Sequence, residues 1–263
     1  MNTREFRIGR VLTRSLRVVG QNLLPFLLLT VVAYLPAAIS LAYMPPPPPL
    51  GPDAGILEEL TSGAPVYQTW LENIAQALLG GAVAFATFFS LQGNRQGLLA
   101  SLGHGARVVL PVIGVAILTG LGIGLGMLLV VPGVILACMW FVAVPVAAVE
   151  RASVFESLGR SVDLTRGHRW RVFGVLCTPF LLMAALMVGL YLIYPFGEWV
   201  DTGDSDFLEF SQTDAEWRTE SFVTLIIAAV FGLYTAVCSA VAYHDLRTVK
   251  EGVSTPDLLR VFE

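Results

Sequence analysis

The chain has 263 residues, of which 55% are hydrophobic and 14% are charged, and its mean hydropathy is +0.71. A soluble globular domain carries about 25% charged residues, so this composition excludes an ordinary soluble fold and favours a chain embedded in a membrane. The formal net charge of −4 says little by itself, because the positions of the charges along the chain carry the information.

The first predicted element, residues 1–20, is an amphipathic helix. At 100° per residue, four arginines share one face and four apolar residues share the opposite face, a pattern typical of a helix lying in the membrane surface. We expect this helix to float on the cytoplasmic leaflet. The arginines are Arg7, Arg10, Arg14 and Arg17, and the apolar residues are Ile8, Leu12, Leu16 and Val19.

Six apolar stretches follow, each close to the length of about 20 residues that a membrane-spanning helix needs. They cover residues 22–43, 71–92, 108–130, 132–149, 170–195 and 221–243. Residues 44–69 and 197–220 form extracytoplasmic loops, and residues 244–263 form a cytoplasmic tail. We therefore predict an all-α fold in a single transmembrane domain over residues 1–263.

The lysines and arginines between these stretches set the orientation in the membrane. If the N-terminus faces the cytoplasm, every lysine and arginine except Arg218 falls on the cytoplasmic side, whereas most acidic residues fall in the outer loops. This is the positive-inside pattern. We predict a multi-pass protein of a bacterial inner membrane with both termini in the cytoplasm.

Residues 153–166 form a second predicted surface helix, whose start is marked by a capping box of Ser153 and Glu156. A weaker copy of the pattern lies at residues 98–107. Because each of the three amphipathic segments precedes a span, we interpret the chain as an internal repeat. The predicted fold is six transmembrane helices as three hairpins, each preceded by a cytoplasmic amphipathic interfacial helix. The apolar stripe of the second surface helix is Val154, Phe155, Leu158, Val162 and Thr165.

Glycines and prolines indicate how the spans pack. In the third span, two pairs of glycines have a spacing of four residues, which lets another helix approach the backbone closely. Prolines inside spans one, four and five predict kinks there. The glycine pairs are Gly120 with Gly124 and Gly122 with Gly126, and the prolines are Pro36, Pro145 and Pro179.

Polar residues divide between membrane depth and the cytoplasmic rim. No ionisable side chain lies between the predicted membrane interfaces, which argues against ion-coupled transport because coupling uses such groups. The predicted polar groups at membrane depth are Thr119, Thr178, Thr224, Thr235 and Ser239. At the rim we predict a structural ion-pair network that also includes Arg160 and Arg169. Its members are Glu150, Glu156, Asp163, Asp245 and Arg247.

Catalytic and metal-binding motifs are missing from the sequence. His104, His168 and His244 are far apart along the chain, and the three cysteines form no CxxC pattern. No nucleophile elbow, zinc signature or P-loop motif occurs either. We therefore predict that the protein is not an enzyme and that it holds no metal and no cofactor.

Several runs of residues resemble the bacterial membrane-domain family named after glycerophosphoryl diester phosphodiesterases. They are VPGVIL (131–136) with Pro145 and Glu150, ESLGRS (156–161), LTRGHRW (164–170), AYHDLR (242–247) and KEG (250–252). The resemblance implies a membrane domain that in some relatives precedes a cytosolic phosphodiesterase barrel and in others stands alone. Too few residues follow Asp245 for a barrel, which needs about 200 or more, so we expect no phosphodiesterase activity.

We predict that the protein engages anionic lipids or a membrane partner through its basic cytoplasmic rim. The positive-inside rule alone would also place arginines there. The alternatives are a passive channel or transporter for a small or lipidic solute, lined by spans one, four and five, and a membrane domain that assists glycerophosphodiester metabolism. The expected partners are membrane lipids, another membrane protein or a second copy of the chain, and not nucleic acid. The predicted headgroup-binding residues are Arg7, Arg10, Arg14, Arg17, Arg160, Arg166, Arg169 and Arg171.

Overall fold

The computed structural model describes residues 6–45, 66–91, 98–193 and 214–252, and all regular secondary structure in these ranges is helical. The prediction of an all-α fold is confirmed for these residues. In chain order the helices are α1 (Ile8–Gln21), α2 (Leu23–Tyr43), α3 (Val66–Leu91), α4 (Leu98–Met127), α5 (Val131–Trp140), α6 (Ala143–Glu150), α7 (Val154–Thr165), α8 (Arg169–Ile193) and α9 (Asp214–Glu251).

Six segments of the described chain are helical, long enough and apolar enough to cross a membrane. Their number agrees with the six spans predicted from the sequence. The chain is therefore a multi-pass membrane protein. The segments are Leu23–Tyr43, Tyr67–Leu91, Leu110–Met127, Val131–Glu150, Arg169–Leu186 and Trp217–Glu251.

The second and last spans, in α3 and α9, form the centre of the bundle. α3 packs against α2, α4, α6 and α9, and α9 also packs against α1, α2 and α8. Both central helices carry small buried residues in one core cluster, among them Ala82 and Val83 of α3 and Ala236 and Val237 of α9. Small side chains let membrane helices approach closely, and the resulting dispersion contacts hold them together.

α4 and α5 form a tight antiparallel pair. A Cβ atom added to Gly126 would lie 2.8 Å from the Cα atom of Gly133, so the two backbones touch there. A Cβ atom on Gly122 would overlap the indole ring of α5. Around Gly120 and Gly124, by contrast, no atom of another element in the described chain lies within 4 Å of such an atom. Of the two predicted glycine pairs, Gly122 with Gly126 packs against α5, and Gly120 with Gly124 faces open space.

The fourth span is broken in its middle, where α5 ends at Trp140 and α6 begins at Ala143. Pro145 has no N–H, so it leaves the Phe141 carbonyl without its helical hydrogen-bond donor. The Ser239 hydroxyl of α9 donates to this carbonyl at 3.0 Å. A side chain of a neighbouring helix thus replaces the lost backbone donor, which makes the break tolerable at membrane depth.

The three prolines predicted to kink their spans have different effects on their helices. α2 and α8 each continue as one helix through Pro36 and Pro179. Pro145 accompanies a break between two helices. The broken span packs against α7 and α9, and hydroxyls from these helices are available to the freed carbonyls.

Two helices extend beyond their predicted boundaries. α4 begins at Leu98, so residues 98–107 continue into the third span and do not form a separate surface helix. The glycines of this segment do not end the helix, because one glycine costs only about 1 kcal/mol relative to alanine. α9 has 38 residues, or about 57 Å, and takes in parts of predicted loop 197–220 and tail 244–263. Most of predicted loop 44–69 lies outside the described residues.

Candidate functional site

Helix α1 is docked on the bundle at the end that carries the predicted cytoplasmic rim. It packs against α8 and α9, and its Val11, Ser15 and Val18 are buried. This buried face is rotated away from the predicted apolar stripe, so that Leu16 is 59% exposed. The expectation that α1 floats on the leaflet is therefore incomplete, because protein contacts hold one side of the helix.

The residues around the start of α1 hold it in this position. Phe6 is almost fully buried, and its ring lies edge-on to the His168 ring at a centroid distance of 6.0 Å. Arg171 donates a hydrogen bond to the Phe6 carbonyl at 2.8 Å. Ile8 fills the space beside Gly174, where a Cβ atom would overlap its side chain. Arg171, predicted to bind headgroups, thus anchors the N-terminal segment.

An ion pair joins α1 to α9. A guanidinium nitrogen of Arg14 lies 2.8 Å from a carboxylate oxygen of Asp245, whose side chain is 9% exposed. The Nδ1 atom of His244 lies 3.4 Å from the same oxygen. A carboxylate with so little solvent needs such a partner, because an unpaired buried charge is strongly destabilising. Arg14, also predicted to bind headgroups, is therefore engaged inside the protein.

A second set of contacts joins α6, α7 and α9. Arg160 of α7 lies 3.4 Å from Glu150 of α6 and also pairs with Glu251 of α9. Arg247 pairs with Glu251 at 3.0 Å. Tyr243 donates a hydrogen bond to Glu150 at 2.7 Å and accepts one from Arg247 at 3.1 Å. These contacts tie three helices together at one end of the bundle.

Glu156 has a different role from the one predicted for it. It accepts hydrogen bonds from the Ser153 hydroxyl at 2.7 Å and from the Ser153 backbone N–H at 2.9 Å. The hydroxyl, and then the N–H, stabilise the carboxylate and lower the pKa of Glu156. The predicted capping box is confirmed. Within the described residues, Glu156 forms no ion pair.

The other predicted members of the network divide into two groups. Glu150, Asp245 and Arg247 are paired, as described above. Asp163 contributes its backbone carbonyl, which accepts a hydrogen bond from Lys250, and Arg169 has no carboxylate partner in the described part of the chain. Glu251 and Tyr243 are members that the sequence did not indicate. We call the paired residues the rim network: Arg14, Glu150, Arg160, Tyr243, Asp245, Arg247 and Glu251.

Helix α7 meets the bundle through a row of hydroxyls and through part of its predicted apolar stripe, of which Val154 and Leu158 pack against buried residues. Ser157, Ser161 and Thr165 are buried at a spacing of four residues, while Phe155 is 77% exposed. The Ser161 hydroxyl donates to the Met139 carbonyl at 2.7 Å, beside the break in the fourth span. Hydrophobic periodicity missed Ser157 and Ser161 because serine counts as polar, although their spacing from Thr165 was visible in the sequence.

Half of the predicted headgroup-binding residues have no side-chain partner among the described residues. Arg10 and Arg17 are exposed on α1, and Arg166 and Arg169 are exposed at the turn into α8. In the ranges that the structure describes, their side chains form no hydrogen bond or ion pair. The other predicted headgroup-binding residues have partners within the protein: Arg7, Arg14, Arg160 and Arg171.

A polar contact at membrane depth was missed in the sequence. The Gln76 side chain of α3 accepts a hydrogen bond from the Tyr34 hydroxyl at 2.8 Å and donates one to the Gly232 carbonyl at 3.2 Å. It therefore links α2, α3 and α9. The signal was an uncharged amide within an apolar stretch, a residue type that hydrogen-bonds between helices in membrane bundles.

A cavity of about 720 Å³ lies among the spans. Its walls come mainly from α3 and α4, with smaller and equal contributions from α9 and from the fourth span at and after its break, and with one residue of α8. The predicted channel was lined by spans one, four and five. Among the described residues, the fourth and fifth spans do contribute to the lining, with Phe141, Val144, Pro145 and Leu176, whereas the first span contributes nothing and the second and third spans contribute most of it.

The described residues offer no cluster with the composition of a metal site. No group of three His, Cys, Asp or Glu side chains among them lies close enough to hold a metal ion. The rim network and the exposed arginines beside it supply ion pairing and hydrogen bonding to phosphate or carboxylate. We therefore take this end of the bundle as the candidate site.

Comparison with known proteins places the chain in a family. No curated protein and no solved structure matches it. The family match covers residues 57–246, which takes in α3 to α8 and most of α9 and leaves out α1 and α2. The match carries no link to the glycerophosphoryl diester phosphodiesterase membrane domains, so that resemblance stays a prediction. Because the match spans more than half of the chain, the protein belongs to the family described as a domain of unknown function (DUF7847).

Proposed function

We propose that this membrane protein is not an enzyme and binds the phosphate groups of anionic lipids at the end of the bundle that carries the rim network. One observation carries the proposal. Arg10, Arg17, Arg166 and Arg169 are exposed without a side-chain partner in the described chain, whereas Arg14 of the same region is held within the fold. The exposed arginines are therefore available to a ligand outside the protein.

The chemistry of these side chains suits lipid phosphate. A guanidinium group presents several N–H donors in a planar fork and can bind a phosphate through two hydrogen bonds. Each arginine near the surface of a negatively charged leaflet contributes about 1 kcal/mol to binding. Trp170, which lies next to Arg169, is 86% exposed. Tryptophan is enriched at the level of lipid headgroups, which supports placing this edge at the membrane surface.

Contacts within the protein hold this surface in place. Arginines that only set the orientation of a membrane protein do not need such contacts. α1 is held by the Arg14 to Asp245 ion pair and by the hydrogen bond from Arg171 to Phe6. Arg10 and Arg17 therefore project from a fixed helix. A preorganised surface loses less conformational entropy when it binds than a flexible arm does.

The proposal includes the orientation of the protein. The end that carries the rim network faces the cytoplasm of a bacterial inner membrane, because the cations lie on that side. The anionic lipids of the cytoplasmic leaflet are then the ligands within reach.

Native mass spectrometry of the protein in nanodiscs tests the proposal. The discs contain phosphatidylglycerol and phosphatidylcholine, and the measurement counts the lipids of each kind that stay bound. We expect Arg166→Gln combined with Arg169→Gln to weaken retention of phosphatidylglycerol by about five-fold for each arginine lost. Charge reversal of Arg160 is unsuitable, because it would break the rim network.

The matched control is Arg218→Gln, which removes one positive charge from the predicted outer side of the protein. It should leave retention of phosphatidylglycerol unchanged. Equal retention by the parent protein and the Arg166→Gln, Arg169→Gln variant would overturn the proposal, and so would an equal loss in the control. A phosphate assay on glycerophosphodiesters should detect no product, and turnover by the purified protein would contradict the non-catalytic part.

A further inference from the structure

The cavity among the spans has the size of a ligand site. Its volume of about 720 Å³ falls within the range of about 300–1,000 Å³ for such sites. Along α3 the lining runs from Trp70 to Gly80, which is about 15 Å of helix and about half of the hydrocarbon thickness. α3 meets the rim network with its other end, where Phe88 packs against Tyr243 at 6.0 Å. The cavity therefore begins in the opposite half of the bundle and reaches its middle, where Phe141, Pro145 and Ser239 line it.

Two glycines of α4 keep this space open. Gly120 and Gly124 both line the cavity, and no atom of another described element lies within 4 Å of a Cβ atom added to either. On the opposite face of the same helix, Gly122 and Gly126 are packed tightly against α5. Helix packing thus accounts for one glycine pair and leaves the other facing a volume that the protein does not fill.

The polar groups of the lining have a particular hydrogen-bonding capacity. The hydroxyls of Thr119, Thr235 and Ser239 each donate to a backbone carbonyl, so their oxygen atoms remain able to accept. The Asn73 amide forms no hydrogen bond within the described chain. The Gln76 amide uses one of its two N–H groups for a backbone carbonyl and keeps the second. The cavity therefore offers acceptors together with a few neutral donors.

The lining points to the chemical class of the occupant. None of the described lining residues is Asp, Glu, Lys, Arg or His. A charged headgroup placed here would lose its hydration without a compensating charge, which is costly at membrane depth. We propose that the cavity binds a neutral lipid with a free hydroxyl group, of the diacylglycerol class. Part of its chains fills the apolar space while the rest extends through the open side of the cavity, and its hydroxyl donates to a Thr or Ser oxygen or pairs with the Asn73 amide.

The position of the cavity gives such a lipid a route of entry. Ile74 of α3 and Ile117, Gly120, Leu121 and Gly124 of α4 line the cavity and are exposed. The cavity is thus open on the side where these two helices face the surroundings. A lipid dissolved in the hydrocarbon can enter there sideways and does not need to pass the charged end of the bundle.

Photolabelling of the full-length protein in lipid vesicles tests the proposal. The probe is dioleoylglycerol with a diazirine on one chain, and mass spectrometry of peptides locates the label. We expect the label on α3 and α4 at the cavity. Gly120→Leu combined with Gly124→Leu fills the space and should lower this labelling about ten-fold. Acetylation of the hydroxyl of the probe should lower labelling of the parent protein in the same way.

The matched control is Gly189→Leu, which makes the same change in a membrane helix at a glycine with open space around it and outside the described lining of the cavity. It should label like the parent protein. Thermal unfolding of the filled variant checks that it remains folded. Asn73→Leu is a second variant, at an exposed side chain without a hydrogen bond in the described chain, and it should also lower the labelling. Labelling that is unchanged by filling the cavity, or unchanged by loss of the probe hydroxyl, overturns the proposal.

Discussion

The two halves of the bundle satisfy their polar groups by different means. At the rim network, charged side chains from four helices pair with one another, as Arg14 does with Asp245 and Arg160 does with Glu150. At membrane depth in the other half, contacts between helices use uncharged groups, as Gln76 does with Tyr34, and Arg218 donates to the Ala42 carbonyl near the far end of the bundle. Charges are tolerable near the water boundary, whereas hydrocarbon favours neutral hydrogen bonds. One sequence thus divides its polar residues by depth.

The largest expected effect comes from unpairing a charge at the rim. Asp245→Leu leaves the Arg14 guanidinium without its carboxylate and should lower the free energy of unfolding by about 3 kcal/mol. Reversible unfolding in mixed micelles measures this change. In a double-mutant cycle, Arg14→Leu should add much less in the Asp245→Leu background than in the parent. Arg10→Leu on the same helix is the control, and additive losses for Arg14 and Asp245 would contradict the coupling.

The glycines of α4 should separate the packed face from the open face. Gly126→Ala forces a methyl group against the backbone at Gly133 and should lower the free energy of unfolding by about 2 kcal/mol. Gly124→Ala adds the same methyl group to open space and should raise it by about 0.5 kcal/mol, because alanine favours helix. The same unfolding assay compares the two. Equal effects would show that both faces are packed.

A smaller effect on stability is expected at the break in the fourth span, and it should depend on the presence of Pro145. Ser239→Ala leaves the Phe141 carbonyl without a donor and should lower the free energy of unfolding by about 1 kcal/mol. Pro145→Ala restores a backbone N–H that can donate to this carbonyl. In the Pro145→Ala background, the Ser239→Ala effect should therefore fall to near zero. If Ser239→Ala still lowers the free energy of unfolding in the Pro145→Ala background, the hydroxyl stabilises the protein through a different contact.

The smallest expected effect concerns the start of α7. Because the pKa of Glu156 is lowered in the folded protein, its capping contribution is present above the unfolded pKa and is lost as the pH falls through the folded pKa. Ser153→Ala should move the pKa of Glu156 back towards its ordinary value. Thermal midpoints measured from neutral to acidic pH should differ most at neutral pH, and the difference should shrink at low pH, where only the backbone hydrogen bond to the Ser153 hydroxyl still distinguishes parent and variant. A difference in thermal midpoint that does not change with pH would show that ionisation of Glu156 does not contribute to the cap.

Much of the fold could be predicted from the sequence, but less of the candidate site could be. The capping box of Ser153 and Glu156 was predicted because it is local, with its partners three residues apart. The ion pair of Arg14 was not predicted, because its partner Asp245 is 231 residues away. An exposed arginine and a paired one look alike in an amphipathic pattern, so only packing could separate Arg14 from Arg10.

The number of spans and the position of the cations followed from the sequence alone, because length, hydropathy and charge are properties of consecutive residues. Tertiary structure alone decided which glycine face of α4 is filled and which helix supplies a donor to the freed carbonyl of Phe141. The donor is Ser239, 98 residues along the chain. Such contacts depend on which helix surfaces meet, and the order of residues within a single span does not specify them.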